Sequence, residues 1–259
     1  MNQFRTYGNA PYRVAVLHGG PGAAGDAAPL AREISAYTSV IEPFQSALTI
    51  AGQIEELKSL LRDNCSLPVT LAGYSWGAML GFLCAARYPQ FVKKLLLISS
   101  GPFEDSYAAQ IQETRLNRLS EQDRAEFEGY ISRLNDPEVF DKDTILSGLG
   151  AYAMKADAYD PIPGDGDQVL CRSDIHTSIW KEAEQCRKSG RLIAYGYDIR
   201  CPVVAFHGDY DPHPADGVRV PLSRTIRDFR FILIEHCGHT PWREKRAREV
   251  FFRALKGEL

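Results

Sequence analysis

Apolar positions along the chain fall into two rhythms. Short runs rich in Val, Leu and Ile occur at 13–17, 39–41, 68–72, 94–98, 202–206 and 230–234, with the length and composition of strands buried on both faces. Between them the spacing turns helical. Residues 48–61 place Ile50, Ile54, Leu57 and Leu61 on one stripe, and 243–255 repeat the device with Ala247, Val250, Phe251 and Leu255. Residues 76–88 are apolar almost all round and stop at Pro89, which predicts a buried helix. Strands alternating with helices predict an α/β domain with a mainly parallel sheet of about six strands and helices on its faces. Only residues 3–7 remain for any strand before the first run, so the N-terminal part of the sheet is reduced.

The alternation breaks after Ser100. Residues 101–195 carry helical patterns at 110–134, 136–159 and 174–188, a break at Pro161-Ile162-Pro163-Gly164, and no convincing strand before Cys201. This predicts a core of residues 1–100 and 196–259 with a helical lid, 101–195, inserted in it. Such an insertion shapes a pocket while the core positions the chemistry.

Composition narrows the partners. With 44% hydrophobic residues in 259, the chain is long and apolar enough for a sizeable core. A net charge of −3, with mixed signs along the chain, offers no basic field for nucleic acid or an anionic membrane. Met-Asn-Gln-Phe-Arg-Thr-Tyr at the start lacks the apolar core of a secretory signal, and no stretch approaches the ~18 apolar residues of a membrane span, so a cytoplasmic protein is expected. Six cysteines (Cys65, Cys84, Cys171, Cys186, Cys201, Cys237) show no C-x-x-C spacing, the pattern of reduced structural thiols.

Chemistry enters at Gly73-Tyr74-Ser75-Trp76-Gly77, a G-x-S-x-G pattern between a predicted buried strand and a predicted buried helix. That context puts a serine on a sharp strand-to-helix turn with its hydroxyl at the sheet edge, which makes Ser75 a candidate nucleophile. A serine hydroxyl needs a base, and the base an orienting acid. His207-Gly208-Asp209-Tyr210-Asp211-Pro212 follows the run at 202–206, and His236-Cys237-Gly238-His239-Thr240-Pro241 follows the run at 230–234. Loops after parallel strands share one sheet edge, and the order is serine, acid, histidine.

These segments resemble the three catalytic segments of the α/β-hydrolase superfamily, and His18-Gly19-Gly20-Pro21-Gly22 resembles the HGGPG signature of proline iminopeptidases and their relatives. The resemblance implies an α/β-hydrolase fold in which Ser75 is the nucleophile, Asp211 the acid and His239 the base. It also implies an oxyanion hole from the backbone N–H groups of Gly20 and Trp76, with Gly19 and Tyr74 near the substrate. Where the family usually has Asp-x-Arg-Gly-x-Gly-x-Ser, this chain has Glu42-Pro43-Phe44-Gln45-Ser46-Ala47.

Several of these residues have plainer readings. Asp209 competes with Asp211 and otherwise caps its loop; His236 competes with His239 and otherwise packs at the strand end. His18 braces the glycine loop, His213 either lines the site or shapes the Asp211-Pro212-His213-Pro214 turn, and His176 is a surface or packing residue. Glu104, with Asp105, either meets a substrate ammonium or caps the first lid helix. His236-Cys237-x-His239 resembles a metal pair but lacks a companion cluster, so no metal and no cofactor is expected. The function expected is hydrolysis of a small ester, amide or short peptide through an acyl-enzyme. The alternatives are a ligand receptor with incidental turnover, an acyltransferase, or a C–C hydrolase using the same triad.

Overall fold

A computed structural model describes residues 3–163, 167 and 169–259; of the predicted break at 161–164, Gly164 lies outside them. Strands β1 (Phe4–Tyr7), β2 (Tyr12–Leu17), β4 (Val40–Pro43), β5 (Cys65–Tyr74), β6 (Val92–Ile98), β8 (Val203–Gly208) and β9 (Phe229–Ile234) form a seven-stranded sheet in the order β1-β4-β2-β5-β6-β8-β9. All neighbours are parallel except β1 and β4, whose antiparallel register pairs Phe4 with Pro43 and Tyr7 with Val40. The six runs expected from the sequence are the parallel strands, and residues 3–7 add the edge.

Helices α1 (Ala28–Ser35), α2 (Ile50–Asn64), α3 (Trp76–Arg87), α9 (Asp216–Thr225) and α10 (Arg248–Lys256) cover the sheet. One cluster, with Leu57, Leu61, Leu71, Phe82 and Leu97, packs α2 and α3 on one face; a second, with Leu30, Ile34, Phe206, Phe251 and Leu255, packs α1 and α10 on the other. Buried on all sides from Trp76 to Ala86, α3 explains its unbroken apolar sequence. Neither α1 nor α9 was anticipated: each is short, and α9 holds Pro221 in its interior.

Between β6 and β8 the chain is helical: α4 (Ile111–Arg118), α5 (Glu121–Asn135), α6 (Lys142–Asp157), α7 (Ser173–Lys188) and α8 (Arg191–Ala194). The pattern expected as one helix over 110–134 is two. Ser120 leaves helical dihedrals, accepts from the Asp123 N–H at 3.2 Å and donates to its carboxylate at 2.6 Å, a reciprocal cap that starts a new helix. A two-residue strand β7 (Leu170–Cys171) also pairs with β3 (Ala23–Ala24), where no strand was expected. The insertion is not held uniformly. Helices α4 to α6 share a small cluster around Leu119, Phe127 and Ala156, whereas Ile175, Ile179, Ala183 and Cys186 of α7 join the main core. All six cysteines are unpaired, and no helix among the described residues is long and apolar enough to cross a membrane.

Candidate active site

At the carboxyl end of β5 the chain turns sharply into α3. Ser75 sits in this turn at φ +52°, a region sparsely populated by residues with a side chain and costing about 1–3 kcal/mol where occupied. The turn also requires close backbone approach: a Cβ on Gly77 would lie 2.3 Å from the Leu17 carbonyl oxygen and 2.6 Å from that of His18. The two glycines of the motif therefore let α3 press against the sheet, and Ser75 is left at the edge.

Parallel strands β8 and β9 bring the other two loops to the same edge. His239 Nε2 lies 3.1 Å from Ser75 Oγ, and His239 Nδ1 lies 2.7 Å from Asp211 Oδ2. With Nδ1–H donating to the carboxylate, Nε2 is the free acceptor facing the serine. Burial opposes the imidazolium of His239, but the charge of Asp211 and its hydrogen bond outweigh that and hold the pKa above the ordinary 6.5. Burial likewise opposes ionisation of Asp211, yet its surrounding histidines hold it well below the usual carboxylate range.

The competing residues separate cleanly. Asp209 accepts from the Cys237 N–H at 3.0 Å and ties one loop to the other. His236 is exposed, in the left-handed region at φ +55°, with its ring 5.3 Å from that of Tyr159. His213 both lines the cavity and shapes the turn: its backbone N–H and its Nδ1–H donate to Asp211 Oδ1 at 2.9 and 2.8 Å, and its ring lies 4.5 Å from the His239 ring. Burial pushes His213 down to about 4, so it is neutral near pH 7. Asp211, His213 and His239 are the one group among the described residues with metal-ligand proximity, and both carboxylate oxygens of Asp211 are taken by the Nδ1 atoms of the two histidines.

Opposite Ser75 runs the glycine loop. His18 is buried beneath it, with Nδ1 2.8 Å from the Gly19 carbonyl oxygen, and burial pushes its pKa down to about 4. Gly19 N–H donates to Asp26 Oδ1 at 2.9 Å, and Gly20 lines the cavity beside Ser75. Trp76 N–H heads α3, where no intrahelical acceptor exists. Its indole instead packs inward and donates to Gln53 Oε1 at 3.0 Å. Tyr74 bonds Thr240 Oγ1 at 2.9 Å and packs 5.2 Å from the His239 ring.

Ser75, His239 and His213 open into a cavity of about 750 Å3 whose upper wall is apolar, with Phe127, Ile131, Leu146, Leu149 and Met154 from α5 and α6. Glu104 is not in that wall. Its carboxylate lies 3.7 Å from Arg224; it stands at the N-cap position of the short 3-10 turn Asp105–Tyr107 but its side chain makes no capping bond, and Asp105 pairs with Arg187. The carboxylates at the cavity are Asp26, Asp157 and Asp167, which the sequence reading missed; Asp167 is paired with Arg32 at 2.8 and 2.6 Å. Asp157 is held in a two-point ion pair by Arg115, at 2.7 and 2.6 Å. Asp26 is pushed up to about 7 by burial, against the smaller effect of the Gly19 N–H. His176, expected at the surface or in packing, also lines the cavity, and its Nδ1 has no partner among the described residues.

Known proteins share this arrangement of sheet and helices. The family model for the alpha/beta hydrolase fold matches residues 66–242, well over half of the chain. A stretch of 56 residues is 38% identical to a cis-3-alkyl-4-alkyloxetan-2-one decarboxylase of Shewanella oneidensis, covering 21% of this chain and only 18% of that relative's length. Among solved structures, an alpha/beta fold family hydrolase of Bacillus anthracis superposes with a TM-score of 0.73 at 13% identity, covering 99% of this chain and 94% of the other. VinJ superposes with a TM-score of 0.69 at 20% identity, covering 98% and 93%. On the family match, and on the sheet that carries Ser75, the chain belongs to the alpha/beta hydrolase fold family.

Proposed function

We propose that the protein is a serine hydrolase that cleaves an ester or amide bond of a small substrate with an apolar acyl group. The observation that carries this reading is the unbroken run from Ser75 Oγ to His239 Nε2 at 3.1 Å and from His239 Nδ1 to Asp211 at 2.7 Å, opening into an apolar-walled cavity. Ser75 Oγ attacks the substrate carbonyl carbon while its proton passes to His239 Nε2. The oxyanion that forms accepts from the Gly20 and Trp76 N–H groups. As the tetrahedral intermediate collapses, His239 gives the proton to the departing oxygen or nitrogen. Water then attacks the acyl-enzyme with His239 again as base, and Ser75 is regenerated. Asp211 stays ionised throughout and fixes the imidazole tautomer.

A narrower aminopeptidase reading rests on the resemblance of the segment from His18 to Gly22 to the iminopeptidase signature. Such an enzyme needs a carboxylate near Ser75 for the substrate ammonium. Glu104 does not supply it, Asp157 is committed to Arg115 and Asp167 to Arg32, which leaves Asp26 as the group for that role. A panel of p-nitrophenyl esters, aminoacyl p-nitroanilides including proline, and an alkyl oxetan-2-one separates the possibilities. Ester turnover is expected, and dominant proline anilide turnover favours the narrower reading. Ligand-induced stabilisation without turnover favours a receptor. Undiminished fluorophosphonate labelling of Ser75→Ala sinks the nucleophile assignment.

A further inference from the structure

Glu244 lies outside every role described so far and is nearly completely buried, at 1% exposure. Among the described residues its carboxylate has no ion-pair partner; instead it accepts three backbone N–H groups. Oε1 takes those of Tyr159 at 2.9 Å and Gly238 at 3.0 Å, and Oε2 takes that of Asp160 at 2.7 Å. Burying a carboxylate is costly unless such charge-assisted bonds replace its water. Two of the donors belong to the stretch leaving lid helix α6, and the third belongs to the residue before His239.

We propose that Glu244 is a positioning residue for the reaction: it fastens the base of the lid to the turn that carries His239, so that the imidazole is aligned with Ser75 only while the lid is seated. The proposal rests on the hydrolase reading above. A second contact runs beside the clamp, since the His239 N–H donates to the Asp157 carbonyl oxygen at 2.9 Å. That approach is so close that a Cβ on Gly238 would lie 2.1 Å from the same oxygen. The Asp157 side chain is in turn gripped by Arg115, which reaches the cavity wall from α4. A run of contacts therefore leads from the substrate cavity, through the end of α6, to the backbone of the base. Asp211 fixes the ring of His239 from one side; Glu244 fixes the backbone that presents it from the other.

Glu244→Gln keeps the shape but replaces one acceptor with an NH2 that opposes a backbone donor. Misplacement of a reacting group by about 1 Å costs on the order of 10²-fold, so a loss of about tenfold or more is expected in kcat per titrated site and in the fluorophosphonate labelling rate. KM for a short ester should change less than about twofold, and Glu244→Asp should recover part of the rate. A merely structural role lowers the melting temperature and the active fraction but leaves per-site kcat unchanged; wild-type per-site rates in Glu244→Gln overturn the proposal. A wild-type protein that is not labelled at Ser75 overturns the hydrolase reading and this proposal together. If Glu244→Gln does not fold, hydrogen exchange on the wild-type protein decides. The amides of Tyr159, Asp160, Gly238 and His239 should exchange as one unit, whereas lid amides exchanging about tenfold or more faster than Gly238 and His239 overturn the clamp.

Discussion

The sheet edge and the lid enclose one cavity but are built by opposite means. At the edge, each of the three aligned side chains is set by closely packed backbone: Ser75 by a turn pressed onto β2, Asp211 and His239 by adjacent parallel strands whose loops are tied through Asp209. In the lid, α4 buries no residue and α5 buries only Phe127, and the cavity wall mixes buried Phe127 and Leu146 with half-buried Ile131 and Leu149 and exposed Met154, held by a cluster much smaller than the main core. Tight backbone packing is concentrated around Ser75, Asp211 and His239, and the smaller hydrophobic cluster around the cavity wall. The difference teaches that rate and substrate choice should respond to separate sets of substitutions.

The largest effects are expected at the edge. Asp211→Asn should lower kcat/KM by about 10⁴-fold, because an amide that donates to Nδ1 enforces the wrong tautomer of His239. Asp209→Asn should cost less than about threefold, since it weakens one loop contact and touches no reacting atom. Ester kinetics on the two variants compare them directly. A reversed ranking would move the acid to Asp209 and break the separation between loop-tying and reacting carboxylates.

A smaller effect should appear in pH dependence. His239 must be neutral to accept the serine proton, and Asp211 holds its pKa above the ordinary histidine value. Activity should therefore fall as pH drops through a pKa above 6.5. His213 is already neutral over that range, because burial pushes it down to about 4. The residual activity of Asp211→Asn should show its acid limb at lower pH, since the anion that favoured the imidazolium is gone. A profile of kcat/KM against pH measures both limbs, and an unmoved limb would mean that another group sets it.

His213 sharpens the picture of the edge from within. It donates twice to the oxygen of Asp211 that His239 does not use, so His213→Ala leaves that oxygen short of a charge-assisted bond. A drop of about tenfold in kcat is expected, by analogy with the loss of an orienting partner around a reactive ligand. Stopped-flow acylation would detect it, and an unchanged acylation rate would reduce His213 to a turn-shaping residue.

Legibility in the sequence followed the same division. The strands and the Ser75, Asp211 and His239 segments were readable because local patterns, a G-x-S-x-G turn and polar loops after apolar runs, coincide with topology. Asp26, Arg115 and Asp157 were not, because they converge from the start of α1 and from two lid helices with no shared spacing. Glu104 misled for a related reason: an acid pair just beyond a strand looks like a site, but the chain turns Glu104 toward Arg224 and Asp105 toward Arg187. Ser120 to Asp123 did carry a capping signal, and it was hidden inside an otherwise continuous helical stripe.

The smallest effects are expected in the lid. Ile131 and Leu149 line the cavity while half-buried, so truncating either removes apolar contact from a bound acyl chain without opening a large void in a packed core. Each loss is worth about 1–2 kcal/mol of chain burial, or about five- to thirtyfold in affinity for a long acyl ester. Ile131→Ala and Leu149→Ala should therefore raise KM for an octanoyl ester, leave its kcat near wild type, and leave both constants unchanged for an acetyl ester that does not reach the wall. Should Ile131→Ala instead lower kcat for acetyl and octanoyl esters alike, the cavity wall, and not only the base of α6 that Glu244 fastens, would be acting on the reacting groups. Substrate choice and rate would then share one structural element, and the contrast between edge and lid would fail.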